Sequence, residues 1–125
     1  GHRIGSAEIE SVLLKINYLI EVCAVGVADS LEGSLLVLFV VCNRKLTNLH
    51  SDIKKTLINN FGSYAIPKKI IKVKQLPKTK SGKILRRLLR NILQNHNKLL
   101  SIDLSTISNK ESINEILYVL KNEEI

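Results

Sequence analysis

The chemistry-bearing residues concentrate in one stretch, PKTKSGKILRRLLR, running from Pro77 to Arg90. It packs three lysines and three arginines around a single glycine, with no acid among them. Thr79 and Ser81 bring hydroxyl donors, and Gly82 lets the backbone bend sharply. Lys83 stands at the mouth of an expected helix, where a rigidly held ammonium can meet an oxygen that gains charge during acyl or phosphoryl transfer. A phosphate ester or carboxylate is the ligand such a loop suits. The Walker pattern is excluded, since Pro77 occupies the place of its first glycine and Ile84 that of its Mg²⁺-binding hydroxyl. An ordinary exposed basic turn before a helix has the same composition, so the loop alone leaves both readings open.

The rest of the chain narrows the classes. At 125 residues it has the length of one small domain able to bury a core without staples. The formal net charge is +8, and no Asp or Glu falls between Asp52 and Asp103, where most of the Lys and Arg lie. That asymmetry favours a polyanionic partner: nucleotide phosphate, nucleic acid or an acidic protein face. A merely solvated lysine-rich surface is the plain alternative. A small basic nucleic-acid-binding domain is the rival from another class, but Phe39, Phe61 and the three tyrosines are not clustered as base-stacking folds require.

Cys23 and Cys42 sit in apolar β-branched runs and read as core residues rather than a disulfide pair. His2, His50 and His96 have no ligand spacing, so no metal site is expected. SLLVLFVVC is too short to span a bilayer and no signal peptide is visible, which fits a reducing, cytoplasmic setting. The chain opens at Gly1 without Met, as a piece of something longer would.

Periodicity supplies the elements that position the loop. Ile9, Val12, Leu13 and Ile16 predict a helix over Ser6 to Ile20, with Glu8 and Glu10 in its first turn. EVCAVGV and SLLVLFVVC predict two strands, the second apolar on both faces as a central strand is. Leu49, Ile53 and Leu57 predict a second helix that stops at Gly62. KKIIKVKQ predicts a half-exposed strand, with Ile71 and Val73 inward and Lys72 and Lys74 outward. After the loop, Ile84, Leu85, Leu88, Leu89, Ile92 and Leu93 line one side of a helix, and Arg86, Arg87 and Arg90 are expected to face out. Asn95 to Ser108 is expected as an extended connector, and Ser108 with Glu111 as a capping box for a last short helix. The order α, β, β, α, β, α, α describes a compact α+β domain: a small sheet of about three strands flanked by helices.

LPKTKSGKILRR closely resembles the last core motif of the adenylate-forming acyl-CoA synthetases, the superfamily of the luciferases and peptide synthetases. GHRIGSAEIE resembles the segment after that family's interdomain hinge, and EVCAVGVADSLEG its next strand and turn. These motifs stand in family order and, with GSYAIPKKI, cover most of residues 1 to 94. IDLSTISNKESINEIL resembles the extension that ends the short-chain members, the AMP-forming acetyl- and propionyl-CoA synthetases. The resemblance implies the mobile C-terminal lid domain over residues 1–94, with 95–125 as an extension of the same domain bearing a short helix.

The family's reaction follows from the resemblance. A carboxylate and ATP give acyl-AMP and pyrophosphate, CoA thiol then displaces AMP, and the small domain swings between two poses. By motif position Lys83 is the adenylation lysine, with Thr79, Ser81 and Gly82 around it. Gly1, Arg3 and Gly5 would face the active site in the thioester pose, Arg3 contacting AMP phosphate or CoA. Relatives often place an arginine for the CoA 3′-phosphate where Ile58 stands here, so either Lys54 or Lys55 substitutes for it or the nucleotide is held more loosely. ATP with its Mg²⁺ and the short-chain carboxylate would bind the absent N-terminal domain, the lid's main partner. A stand-alone lid docking on a separate adenylating protein is a further alternative. A lysine acetyltransferase and deacetylase acting on Lys83 are also implied, since acetylation would remove the charge that adenylation needs. Neither nucleic acid nor membrane is an implied partner.

Overall fold

The computed structural model describes residues 5–29, 31, 33–43, 48–95 and 104–123. Its elements are α1 (Ser6–Leu13), β1 (Leu19–Asp29), β2 (Gly33–Cys42), α2 (Leu49–Phe61), β3 (Lys69–Lys72), α3 (Arg86–Asn95) and α4 (Glu111–Glu123). The order and the α+β class are those the periodicity predicts. The α1 helix is shorter than its pattern. Past Leu13 the bonds tighten, Lys15 N–H donating to Val12 and Ile16 N–H to Leu13, and the buried Tyr18 hydroxyl donates to Asp52 at 2.6 Å. That bond ties the turn to α2, and the chain enters β1 instead of continuing the helix.

β1 and β2 form an antiparallel hairpin in register from Asp29↔Gly33 to Glu21↔Val41, with a shift before the last pair, Leu19↔Cys42. β2 is central, with β3 parallel on its other side from Val37↔Lys69 to Val40↔Lys72. A parallel return needs a crossover, and α2 provides it. Leu49, Ile53 and Leu57 are its buried stripe, and Gly62 ends it with φ +93. The crossover also corrects the reading of β3. Ile70 is buried as well as Ile71, because α2 covers the face expected to be open.

Two apolar clusters flank the sheet. On one face Cys23, Val25, Phe39 and Ile71 pack with Leu89 and Ile92 of α3 and Ile116 of α4. On the other Val22, Leu38 and Val40 pack with Leu13 of α1 and Ile53 and Leu57 of α2. The result is helix, sheet, helix in three layers. No helix among the described residues is long and apolar enough to cross a membrane.

The C-terminal part departs furthest from its pattern. Residues 96–103 of the expected connector lie outside the described residues. The connector's end is not free chain: Leu104–Thr106 is a 3₁₀ turn and Ile107 is buried. The Ser108–Glu111 capping box does not form. Ser108 Oγ donates to Lys78 carbonyl at 3.3 Å and Glu111 accepts from Gln75 Nε2 at 3.3 Å, so both side chains turn to tertiary partners. The expected short helix runs 13 residues.

Candidate functional site

The basic loop folds into a narrow hairpin. Lys78 and Ile84 form an antiparallel bridge, and Thr79 N–H donates to Lys83 carbonyl at 2.9 Å. Gly82, at φ +94, supplies the left-handed residue that closes the turn, its N–H donating to Thr79 carbonyl at 2.9 Å. Lys83 N–H donates to Thr79 Oγ1 at 3.1 Å, and that hydroxyl lies 2.9 Å from Ser81 Oγ. Both hydroxyls therefore shape the turn. Leu85 N–H closes the base on Pro77 carbonyl at 3.0 Å, over the buried Leu76. Lys78 Nζ is anchored on Glu21 at 2.5 Å. The Lys83 side chain is exposed, on a backbone bonded through both its N–H and its carbonyl.

The arginines after the loop do not all face out, as periodicity expects. Arg87 does, but Arg86 Nε donates to Ala24 carbonyl at 3.2 Å and its Nη2 meets Glu10 at 2.5 Å. Glu10 in turn accepts from Ala24 N–H at 2.8 Å. Arg90 Nε donates to Gly26 carbonyl at 2.9 Å. β1 is one of the sheet's two edge strands, and an exposed edge must be covered or charged. Here a carboxylate from α1 and guanidinia from α3 close it, which the sequence could not indicate because α1 and α3 meet only around β1. The bond to Glu10 raises the Arg86 pKa further and keeps it a cation. Beneath it, burial pushes the Cys23 thiol up to about 11, with the nearby Arg86 charge opposing. Cys42, half-buried, is raised by the same cause. Both cysteines are free thiols, as their surroundings predict.

Gly5 and the two α2 lysines belong to the opposite layer. Gly5 starts α1, its N–H 3.3 Å from Glu8 Oε1. Beside it a groove of about 700 Å³ runs between α1, the hairpin and the segment after α2, lined by Ser6, Gly26, Ser34, Tyr64, Lys68 and Arg90 among others. Lys54 joins His50, Lys68 and Lys69 around a cleft of about 300 Å³. Lys55 is exposed on α2 outside that cleft. Gly1 and Arg3 lie outside the described residues.

Residues 8–83 match the family described as AMP-binding enzyme C-terminal domain, more than half of the chain. The chain belongs to that family. Against acetyl-coenzyme A synthetase 2 of Debaryomyces hansenii, this AMP-binding enzyme C-terminal domain is 39% identical, with 94% of this chain and 19% of that protein covered. Against acetyl-coenzyme A synthetase of Pasteurella multocida it is 38% identical, with 93% and 18% covered. The crystal structure of Brucella canis acyl-CoA synthetase superposes with TM-score 0.65 at 35% identity, covering 72% of this chain and 17% of that one. The chain thus spans about a fifth of the length of these curated relatives.

Of the residues singled out in the sequence, Thr79, Ser81, Gly82 and Lys83 share one hairpin, while Gly5, Lys54 and Lys55 lie across the sheet from it. Membership of the AMP-binding family accounts for the basic loop without nucleic acid, and two of its arginines are engaged by β1. Sequence reasoning missed Glu10, Glu21 and Asn109 as supports of the loop. None carries a local signal, because each acts on a partner at least 14 residues away.

Proposed function

We propose that this chain is the lid domain of an AMP-forming acetyl- or propionyl-CoA synthetase, an acid–thiol ligase, with residues 95–125 an extension of that lid. The observation that carries the reading is Lys83: an exposed ammonium on a hairpin fixed by hydrogen bonds at both ends of its residue. In the first half-reaction the carboxylate oxygen attacks the α-phosphorus of ATP and pyrophosphate leaves. Lys83 bridges the carboxylate and the α-phosphate as that bond forms, offsetting developing charge without reorganising. Thr79, Ser81 and Gly82 hold it there. The domain then turns its other layer to the site, and the CoA thiol attacks the acyl carbonyl, expelling AMP.

Gly5, which starts α1 on the other face of the sheet from Lys83, supports that second pose, and the groove beside Ser6 runs along the β1 edge to Arg90. Gly1 and Arg3 complete the thioester face. For the CoA 3′-phosphate the cleft of Lys54, Lys68 and Lys69 is the better-supported site, ahead of Lys55. Magnesium would enter with ATP on the rest of the longer protein. Glu10, Glu21 and Asp52 do not fit it here, being bound to Arg86, Lys78 and Tyr18 on three separate elements. The setting is cytoplasmic, and a lysine acetyltransferase and deacetylase acting on Lys83 would switch adenylation off and on.

The test is ATP–pyrophosphate exchange by the longer protein with acetate or propionate. Lys83→Ala should lower exchange about 10²- to 10³-fold and spare thioester formation from supplied acyl adenylate. Unchanged exchange would reduce the loop to a basic turn.

A further inference from the structure

The last described segment, residues 104–123, lies beyond the part of the chain that matches the family, yet it is built into the Lys83 loop. Thr79 bridges to Ile107 on one side while Lys78 bridges to Ile84 on the other. Residues 78–79 are therefore the middle strand of a three-stranded ribbon, with Lys83 and Ile84 at one edge and the tail at the other. Lys78 has both backbone groups taken by the tail: its carbonyl accepts from Ser108 N–H at 2.9 Å and its N–H donates to Asn109 Oδ1 at 2.9 Å. The Asn109 amide nitrogen donates to Leu76 carbonyl at 2.8 Å and to Gln75 Oε1 at 3.2 Å. The side-chain amide thus bonds residues 76 and 78 as a neighbouring strand would. Glu115 accepts from Lys74 N–H at 2.8 Å. Ile107, Ile113, Ile116 and Leu120 fix the tail in the same apolar cluster as α3.

We infer that Asn109 is a positioning residue for Lys83, and that the tail is the third strand that holds the lysine in place for adenylation. The inference rests on the role proposed for Lys83. Without the tail, the Lys78 N–H and carbonyl lose their partners on that side, and the hairpin is held only at its base, by the Leu85-to-Pro77 bond and the Lys78–Glu21 ion pair. An ammonium on such a hairpin samples positions around the productive one, and a displacement of about 1 Å can cost about 100-fold in rate. In the thioester pose Lys83 is turned away, so the same loosening has no effect there.

The experiment uses the longer protein with Asn109→Ala and, separately, Ser108→Pro. The second removes both groups that Ser108 gives to Lys78 carbonyl, its N–H and its hydroxyl, and leaves Asn109 in place; Ile107 before it pairs with Thr79 in an antiparallel bridge, the β conformation that suits a residue preceding proline. Pyrophosphate exchange and thioester formation from supplied acyl adenylate are measured on each. Both variants should lower kcat of exchange about 10- to 100-fold, with the KM for ATP and the thioester rate at wild-type values. Amide hydrogen exchange at Lys83 should quicken while that at Leu89, inside α3, does not. Equal losses in both half-reactions make the tail a general folding element and overturn the inference, as does no loss in either. If Asn109→Ala fails to fold, Ser108→Pro decides. Lys83→Ala is assayed beside them: exchange surviving in it sinks the proposed role of Lys83, whereas its collapse beside wild-type behaviour of the tail variants sinks only that of Asn109.

Discussion

Removing the Arg86 guanidinium tests whether the β1 edge is closed by chemistry or merely decorated. Arg86→Ala deletes the ion pair with Glu10 at 2.5 Å and the bond to Ala24 carbonyl at 3.2 Å. The arginine side chain is 38% exposed, so its Coulomb part is screened and contributes about 0.5 to 1 kcal/mol. The charged hydrogen bond to an edge carbonyl adds about 1.5 kcal/mol, the low end of the range for a half-exposed donor, for a loss of about 2 kcal/mol. With an unfolding entropy of about 2.1 cal/mol/K per residue, this lowers the Tm of the 125-residue chain by about 8 °C. Glu10→Gln keeps an acceptor for Ala24 N–H and removes only the charge, so about 1 kcal/mol is lost. Urea unfolding of wild type, both single variants and the double variant gives the coupling, expected at about 1 kcal/mol. In high salt the coupling should shrink while the Arg86-to-carbonyl part remains. Strict additivity of the two substitutions would refute the clamp, and so would an Arg86→Ala Tm equal to that of Arg87→Ala.

Stability should fall at alkaline pH through Cys23. Its folded pKa of about 11 lies above the unfolded value of about 8.5, so the stability is intact below about 8.5 and is lost as pH rises through about 11, by about 3 kcal/mol in all. Urea midpoints at pH 7.5 and 10.5 (about one unit below and about two units above the unfolded pKa) read most of it, and Cys23→Ala should abolish that share of the decline. Among the glycines, Gly82 has φ +94 with open space around its Cα, so Gly82→Ala should cost only the backbone strain, about 1 kcal/mol. Gly62 has φ +93 and a Cβ there would sit 3.1 Å from the Tyr64 ring. Gly62→Ala should cost more, because its backbone at φ +93 and ψ 174 is one that essentially only glycine adopts, and adding Tyr64→Ala should recover only the part due to the ring. An equal cost for Gly62→Ala with and without Tyr64 would contradict that account.

Legibility in the sequence followed the range of the forces involved. The buried stripe of α2 and the doubly apolar β2 were readable because neighbours three, four or two residues apart share a face. The end of α1 was not, since it depends on Tyr18 reaching Asp52, and neither was the burial of Ile70, since it depends on where the crossover lies. The candidate site divides the same way. The motif names Lys83, Thr79, Ser81 and Gly82, and a tight hairpin brings them together with local bonds. Glu10 on Arg86, Glu21 on Lys78 and Asn109 on Leu76 and Lys78 join segments far apart in the chain.

The sequence by itself determined the order of elements, the α+β class, the core stripes and the family, all consequences of local periodicity and of a motif whose chemistry is contiguous. Only the tertiary structure decided that the arginines close the β1 edge, that the tail is the outer strand beside the lysine loop, and that Gly5 and Lys83 face opposite layers. Those outcomes depend on long-range satisfaction of backbone N–H and C=O groups at strand edges, and no pattern of side chains along the chain specifies which distant residue will supply the partner.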